Sequence, residues 1–347
     1  MGEKKFNIGI TGASSLMGGA LIRILLHHPC IHLVHISSEH HENELIGPYF
    51  KILNEKLGNK KFDKYSPAYI KKNLDLVFIA KPLSQSMKCV RELYNDRLKI
   101  IDLSGDFGTT DKRIYEKWHH VKHTMPELLK TRVYGLPELH GDEIKKAGFV
   151  ANAGSFSTGI ILSLYPLLKK NIIHPDLIFI NSYSGVSAMG KKSLPGTNLF
   201  PDAFNNIMAY GIGSHPHIPE TEEQLSLILK KKVIINLIPH FTSVSNGIFH
   251  TIFLKLKAKT PGDGIAQIYE RTYSGCRFIK IFRGEPPQLK GVVNTNHCIL
   301  FPKINEETRT LNVFCAMDER IKGGAGQAVQ NMNLMLGLSE HTGLDFL

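Results

Sequence analysis

The segment FNIGITGASSLMGGALIRILL, Phe6 to Leu26, constrains this chain most. A short β-rich run enters a glycine-containing turn, and an amphipathic helical pattern leaves it, with apolar residues at Leu21, Ile22, Ile24, Leu25 and Leu26. The alternation then continues. IHLVHISS (31–38) reads as a strand, LDLVFIAKP (74–82) as a buried strand with a polar exit, and SMKCVRELYN (86–95) as a helix. LKIIDLSGDF (98–107) and FVANAG (149–154) read as further strands. Strand and helix in regular alternation predict a Rossmann-type doubly wound parallel sheet, an α/β architecture.

After residue 155 the texture changes. DLIFINSYSG, KVIINLIPHFTSV, GIFHTIFLKLKA, CRFIKIFRG and TLNVFCAMD are longer β-rich runs, several alternating in polarity. They predict an α+β domain with a large, mostly antiparallel sheet. The chain closes on GGAGQAVQNMNLMLGL, a glycine turn and a helix. A length of 347 residues allows about two domains. We place a dinucleotide-binding domain at 1–152, completed by a C-terminal helix at 321–347, and a substrate and dimerisation domain at 153–320.

No apolar run approaches the ~20 residues of a membrane span, and MGEKKFNIGITG shows neither a secretory leader nor a myristoylation pattern. The five cysteines are odd in number and widely spaced, without a CxxC. They read as reduced thiols of a cytoplasmic protein. The net charge of +11 is spread along the chain, with no nucleic-acid-binding signature and no zinc-finger spacing. It suits small anions, or an acidic protein partner, rather than nucleic acid or membrane.

The first turn spaces Gly9, Gly12 and Gly18, with Ser15 where a further glycine would complete the pattern. Backbone N–H groups at such a helix start hold a pyrophosphate. Gly12, Ser14, Ser15, Leu16 and Met17 are therefore cofactor-binding candidates. The second strand ends in ISSEHH. Ser37 and Ser38 arrive before the acidic Glu39 and can donate to a 2′-phosphate, which favours NADP over NAD. Farther on, NAGSFSTG (152–159) opens an apolar helix and offers the hydroxyl of Ser155. Ser155, Ser157 or Thr158 could also simply cap that helix. GSHPHIPE (213–220) sets His215 and His217 two apart in a Gly/Pro-rich loop, followed by Glu220. Spacing alone leaves metal ligation, acid/base catalysis and a structural role open.

VYGLPELH (133–140), GSHPHIPE and IKGGAGQAVQNMNLMLGL (321–338) resemble the N-acetyl-γ-glutamyl-phosphate reductase family. So does the order GASxxxG, DLSxDF, NxGxxxT and SGVSxxGxK, and the likeness runs from Ile8 to about Leu347. It implies an NADPH-dependent reductase of an acyl phosphate, of the aspartate-semialdehyde-dehydrogenase kind, that forms a homodimer or homotetramer. Some relatives take acyl groups on a small acidic amino-acid carrier protein. The resemblance puts the nucleophile at Ser155 and the acid/base histidine at His217 in preference to His215. It puts Asn152, Ser184, Lys191 and Lys192 toward a small anionic acyl substrate, and Gly324 and Asn331 near the cofactor.

The chain departs from the family pattern at several of these positions. Ser155 stands where the family has its nucleophilic cysteine. Gly108 replaces an arginine after DLSGDF, AKPLSQS replaces an ALPHG-type turn, and Ala153 and Ser157 also differ. The resemblance thus admits two readings: a reductase with an altered nucleophile, or a catalytically disarmed paralogue that serves as a cofactor-binding or regulatory subunit.

Overall fold

The computed structural model describes residues 5–50, 54–189, 205–257 and 262–345. They form two compact units, one of residues 1–153 and 324–347, the other of residues 154–323.

The first unit is built on six strands: β1 (Phe6–Thr11), β2 (Ile31–Ser37), β3 (Leu76–Ile79), β4 (Lys99–Asp102), β5 (Val133–Gly135) and β6 (Phe149–Asn152). Their order is β2-β1-β3-β4-β6-β5, and every pairing is parallel. All four residues of β3 are fully buried, as expected of an inner parallel strand covered on both faces. Beyond β1 the chain goes first to one neighbour, β2, and then to the other, β3. That reversal opens a crevice at the carboxyl ends of the strands, where such sheets bind ligands.

The helix Leu16–Leu25 begins where Ser15 accepts the Gly18 N–H at 2.9 Å and buries Leu21, Ile22, Ile24 and Leu25. The C-terminal helix Gly326–Met335 is buried throughout and belongs to this unit. Asn333 ties it to the first helix's exit through His28 Nε2, 3.0 Å away. β5, only three residues long, was not expected from the sequence, because three residues show no alternation.

The second unit holds a seven-stranded sheet of β7 (Ile173–Ser184), β8 (Ile207–Ala209), β9 (Ile235–Thr242), β10 (Ile248–Leu256), β11 (Ile279–Ile281), β12 (Cys298–Asn305) and β13 (Thr310–Met317). The order is β11-β12-β13-β10-β7-β9-β8. Four pairings are antiparallel, while β11–β12 and β7–β9 are parallel, so the sheet is mixed. β8, three residues long, and β12, CILFPKIN, were also missing from the sequence reading; the apolar first half of β12 gives no alternation.

The helix Ser155–Lys169 carries Pro166 in its interior. A proline there removes the N–H that would bond the carbonyl four residues back. The Tyr273 hydroxyl donates to that carbonyl, Leu162 O, at 2.6 Å, and the Tyr269 hydroxyl donates to Ser163 O. The helix therefore keeps a proline without leaving a buried acceptor unpaired.

Candidate active site

In the first unit the turn after β1 forms a cradle. Gly12 has φ +76°, and a Cβ there would stand 2.6 Å from Ala80 O. Glycine is the residue that meets both demands, a left-handed backbone and close approach to the end of β3. Ser15 is the helix cap and also donates to Ala80 O at 3.2 Å, which ties the turn to the β3 exit. Ser14 and Ser38 share a hydrogen bond of 2.8 Å. Leu16, the first helical residue, is 45% exposed, and Met17 is half-buried. Open amides at a helix start beside a glycine with no room for a side chain fit a pyrophosphate group.

In the second unit the chain, two residues after β6 of the first, enters the helix Ser155–Lys169. Its N-cap is Gly154, with no side-chain cap, so the expected capping by Ser155, Ser157 or Thr158 does not occur. Ser157 is instead engaged with the segment that carries the histidines: it donates to His217 O at 3.4 Å and accepts from Thr221 Oγ1 at 3.1 Å. The Gly154 N–H donates to the Glu220 carboxylate at 2.8 Å. A Cβ on Gly154 would lie 2.7 Å from His217 Nε2 and 2.8 Å from Glu220 Oε2. The imidazole and the carboxylate thus pack against the backbone one residue before Ser155. From the other direction Gly323 approaches Ser155: a Cβ there would sit 2.7 Å from Ser155 Cβ.

His215 and His217 do not share a loop, as the sequence suggested. His217 is the first residue of a helix, His217–Leu229, and His215 precedes it. Proline at 216 and 219 mimics a loop signal, but both fall in or before the first turn, where proline is tolerated. The His215 and His217 rings lie 5.0 Å apart, and Phe156 contacts His215, His217 and His250 at 4.7, 5.7 and 5.7 Å between ring centroids. His250, on β10, bonds Ser182 Oγ through Nδ1 at 2.6 Å.

Burial pushes His215 down to about 2 and His250 down to about 3, with the neighbouring imidazoles adding to the effect. His217 is also lowered by burial, but the Glu220 carboxylate opposes the shift. Of the three, His217 alone has a carboxylate beside it to stabilise a proton, which suits an acid/base role.

The buried neutral histidines carry a consequence for stability. The unfolded chain protonates histidine below about pH 6.5. Between that pH and the depressed folded values, the unfolded state binds more protons, so stability falls as pH falls. Asp102, pushed up to about 7 by burial and by Asp106, acts in the opposite sense, losing stability as pH rises through that range. His250→Gln should flatten the acid dependence by about 1.4 kcal/mol per pH unit below pH 6.5. Urea midpoints at pH 7, 5.5 and 4.5 measure this; an unchanged slope would contradict the assignment.

In the second unit, a serine at a helix start with a histidine–carboxylate pair against the preceding backbone suits acyl chemistry; in the first, the glycine cradle of a parallel sheet suits a dinucleotide. Residues 7–147 match the family described as semialdehyde dehydrogenase, NAD binding domain, and residues 155–319 match semialdehyde dehydrogenase, dimerisation domain. An N-acetyl-γ-glutamyl-phosphate reductase of Halothermothrix orenii is 39% identical over 341 residues, covering 97% of each chain. One of Campylobacter jejuni subsp. doylei is 39% identical over 349 residues, covering 99% of this chain and 98% of the relative. The chain belongs to the N-acetyl-γ-glutamyl-phosphate reductase family. Among solved structures, aspartate semialdehyde dehydrogenase from Candida albicans with NADP superposes with a TM-score of 0.70 at 13% identity, covering 96% of this chain and 99% of that one. The enzyme II of Vibrio cholerae complexed with ASA gives 0.68 at 15%, with the same coverage. Both share the fold of this reductase-family chain.

The other residues singled out from the sequence fall as follows. Ser37 and Ser38 are both buried; Ser37 donates to Ile10 O at 3.4 Å, and Ser38 shares its hydrogen bond with Ser14. Asn331 donates to Gly135 O at 3.0 Å and Asn152 Oδ1 at 2.9 Å, and Asn152 Nδ2 reaches Gly324 O at 3.4 Å. Asn152, Gly324 and Asn331 thus form one internal network of the first unit. Ser184 is buried, with its hydroxyl on His240 O at 3.4 Å. Lys191 and Lys192 lie outside the described residues. At Gly108 the Arg132 guanidinium donates to the carbonyls of Phe107 and Gly108 at 2.8 and 3.0 Å. Sequence reasoning missed His250, Ser182 and Phe156. Lone residues of these types on apolar strands and helices look like ordinary core.

Proposed function

We propose that the protein is an NADPH-dependent reductase that converts N-acetyl-γ-glutamyl 5-phosphate, or a carrier-linked analogue, to the semialdehyde, with Ser155 in the nucleophile's place. The observation that carries this reading is the packing of His217 and Glu220 on Gly154, beside Ser155 at an uncapped helix start. The carbonyl oxygen of the substrate is held by the open N–H groups of that helix start, which stabilise the charge it gains under attack. The Ser155 hydroxyl passes its proton to His217 as its oxygen bonds the acyl carbon, and phosphate leaves. Glu220 orients the ring and stabilises it when charged. When bound on the Gly12 turn, NADPH supplies the hydride that reduces the acyl carbon. The bond between the Ser155 oxygen and that carbon then breaks, releasing the semialdehyde, and His217 returns its proton to the departing serine oxygen.

Lys191 and Lys192 would hold the substrate's anionic groups as point charges. Asn152 and Asn331, already hydrogen-bonded to each other, act by positioning the turn. The net charge of +11 favours an anionic substrate and is compatible with an acidic carrier. The second unit would mediate a homodimer or homotetramer. Phe179 and Phe253, register neighbours on β7 and β10, are 50% and 42% exposed on one face of its sheet.

The reading is tested in the reverse direction with NADP⁺, phosphate and N-acetylglutamate semialdehyde, following reduced cofactor across pH. Slow turnover with an acid-side decline is expected, since His217 must be neutral to accept a proton. Glu220→Gln removes the influence that raises His217's proton affinity, so the decline should move to lower pH. A decline that stays in place would count against His217 as the base.

A further inference from the structure

The crevice at the carboxyl ends of β2, β1 and β3 contains an ion pair that the acyl chemistry does not use. Lys81, two residues beyond β3, is 8% exposed, and its ammonium donates to the carboxylate of Glu39. Glu39 lies two residues beyond β2, and its side chain is 48% exposed. β2 and β3 are not neighbours; they flank β1. The pair therefore reaches across the glycine turn that follows β1. Its stem touches that turn, since a Cβ on Gly12 would come within 3.1 Å of Lys81 Cγ. The Tyr65 ring lies 5.0 Å from the ammonium and supports it from another side. Ser14 and Ser38 stand in the same crevice, hydroxyl to hydroxyl.

An acidic residue at the end of the second strand accepts the ribose 2′-hydroxyl of NAD. The same carboxylate repels the 2′-phosphate of NADP. Here that carboxylate has an ammonium on it. A lysine ammonium is a compact charge on a flexible stem, able to leave one anion for another. We propose that the Glu39–Lys81 pair sets the dinucleotide preference: Lys81 is the cation that receives the 2′-phosphate, and Glu39 is the group that would otherwise hold the ribose diol. Each masks the other. The Ser14–Ser38 hydroxyls supply further donors to the phosphate. This inference rests on the nicotinamide-dependent reading above.

Dissociation constants for NADPH and NADH are measured on the full chain by fluorescence titration of the reduced nicotinamide, without turnover. Lys81→Met keeps an unbranched stem on Gly12 and Tyr65 while removing the charge. It should weaken NADPH at least about tenfold and spare or tighten NADH. Glu39→Gln frees the ammonium and removes the repulsion; the preference for NADPH over NADH should rise by a similar factor. Lys81→Arg should retain NADPH binding. Thermal melts establish that each variant is folded. Preferences that stay within twofold of wild type, or shift the same way in both charge-removing variants, overturn the assignment. If wild type binds NADPH and the preference does not respond, this inference alone falls. If wild type binds neither dinucleotide, the reductase reading falls with it.

Discussion

Ser155→Cys is expected to accelerate semialdehyde formation by about a thousandfold or more over wild type, a barrier change of about 4 kcal/mol. Two physical differences set the size. A serine hydroxyl is almost wholly protonated at neutral pH and needs His217 to take its proton during attack. A cysteine at a helix start beside a histidine is readily a thiolate. The acyl group also differs once transferred. An oxygen ester is resonance-stabilised and accepts hydride poorly, whereas a thioester is a better electrophile. The geometry suits the exchange: Ser155 is half-buried at the first position of its helix, with Gly154 open enough for His217 and Glu220 to pack on it. Single-turnover reduction with N-acetyl-γ-glutamyl 5-phosphate and NADPH, wild type beside variant, measures the gain. A variant no faster than wild type would show that residue 155 is not the missing nucleophile. Activity in the variant with none in wild type would favour the disarmed-paralogue reading.

Gly12→Val should abolish dinucleotide binding, raising the dissociation constant at least about a hundredfold. At φ +76° a β-branched residue is strained, at a cost of about 1–3 kcal/mol. The larger effect is spatial. The new Cβ would meet Ala80 O at 2.6 Å and Ala80 C at 2.8 Å, both backbone atoms that cannot move without shifting the exit of β3. The turn would open, and the pyrophosphate would lose the amides that hold it. Gly58 provides the control. It too has a positive φ, +53°, but no atom lies within 4 Å of its Cβ position. Gly58→Ala should lower the melting temperature slightly and leave binding intact. Titration of both variants with NADPH separates backbone strain from blocked approach. Retained affinity in Gly12→Val would remove the cradle from the cofactor site.

Much of the site could be read from the chain because it sits on local patterns. The Gly12 turn lies between a strand and a helix whose signals are contiguous, and Ser15 caps that helix three residues before its bonded partner Gly18. Ser155 follows a four-residue buried strand in the same way. The reading failed where local composition pointed elsewhere. Pro216 and Pro219 made the start of a helix look like a loop. The hydroxyls at 155, 157 and 158 looked like caps, but the carboxylate that bonds the Gly154 N–H comes from Glu220, 66 residues away. Ser37 and Ser38 looked equivalent. Both are buried, but Ser37, the last residue of β2, bonds Ile10 O, whereas Ser38, just beyond the strand, bonds the Ser14 hydroxyl.

The residue pattern on its own was enough to establish a parallel-sheet unit, a second unit with a mixed sheet, and the family. Hydrophobic period, turn chemistry and motif spacing act over a few residues and survive without knowledge of what packs on what. Tertiary structure alone decided the pairings: Glu220 on Gly154, His250 on Ser182, Lys81 on Glu39. Each joins residues 42 to 68 apart. Such meetings depend on strand order, register and helix placement, and a side chain's proton affinity or charge partner exists only once those are set.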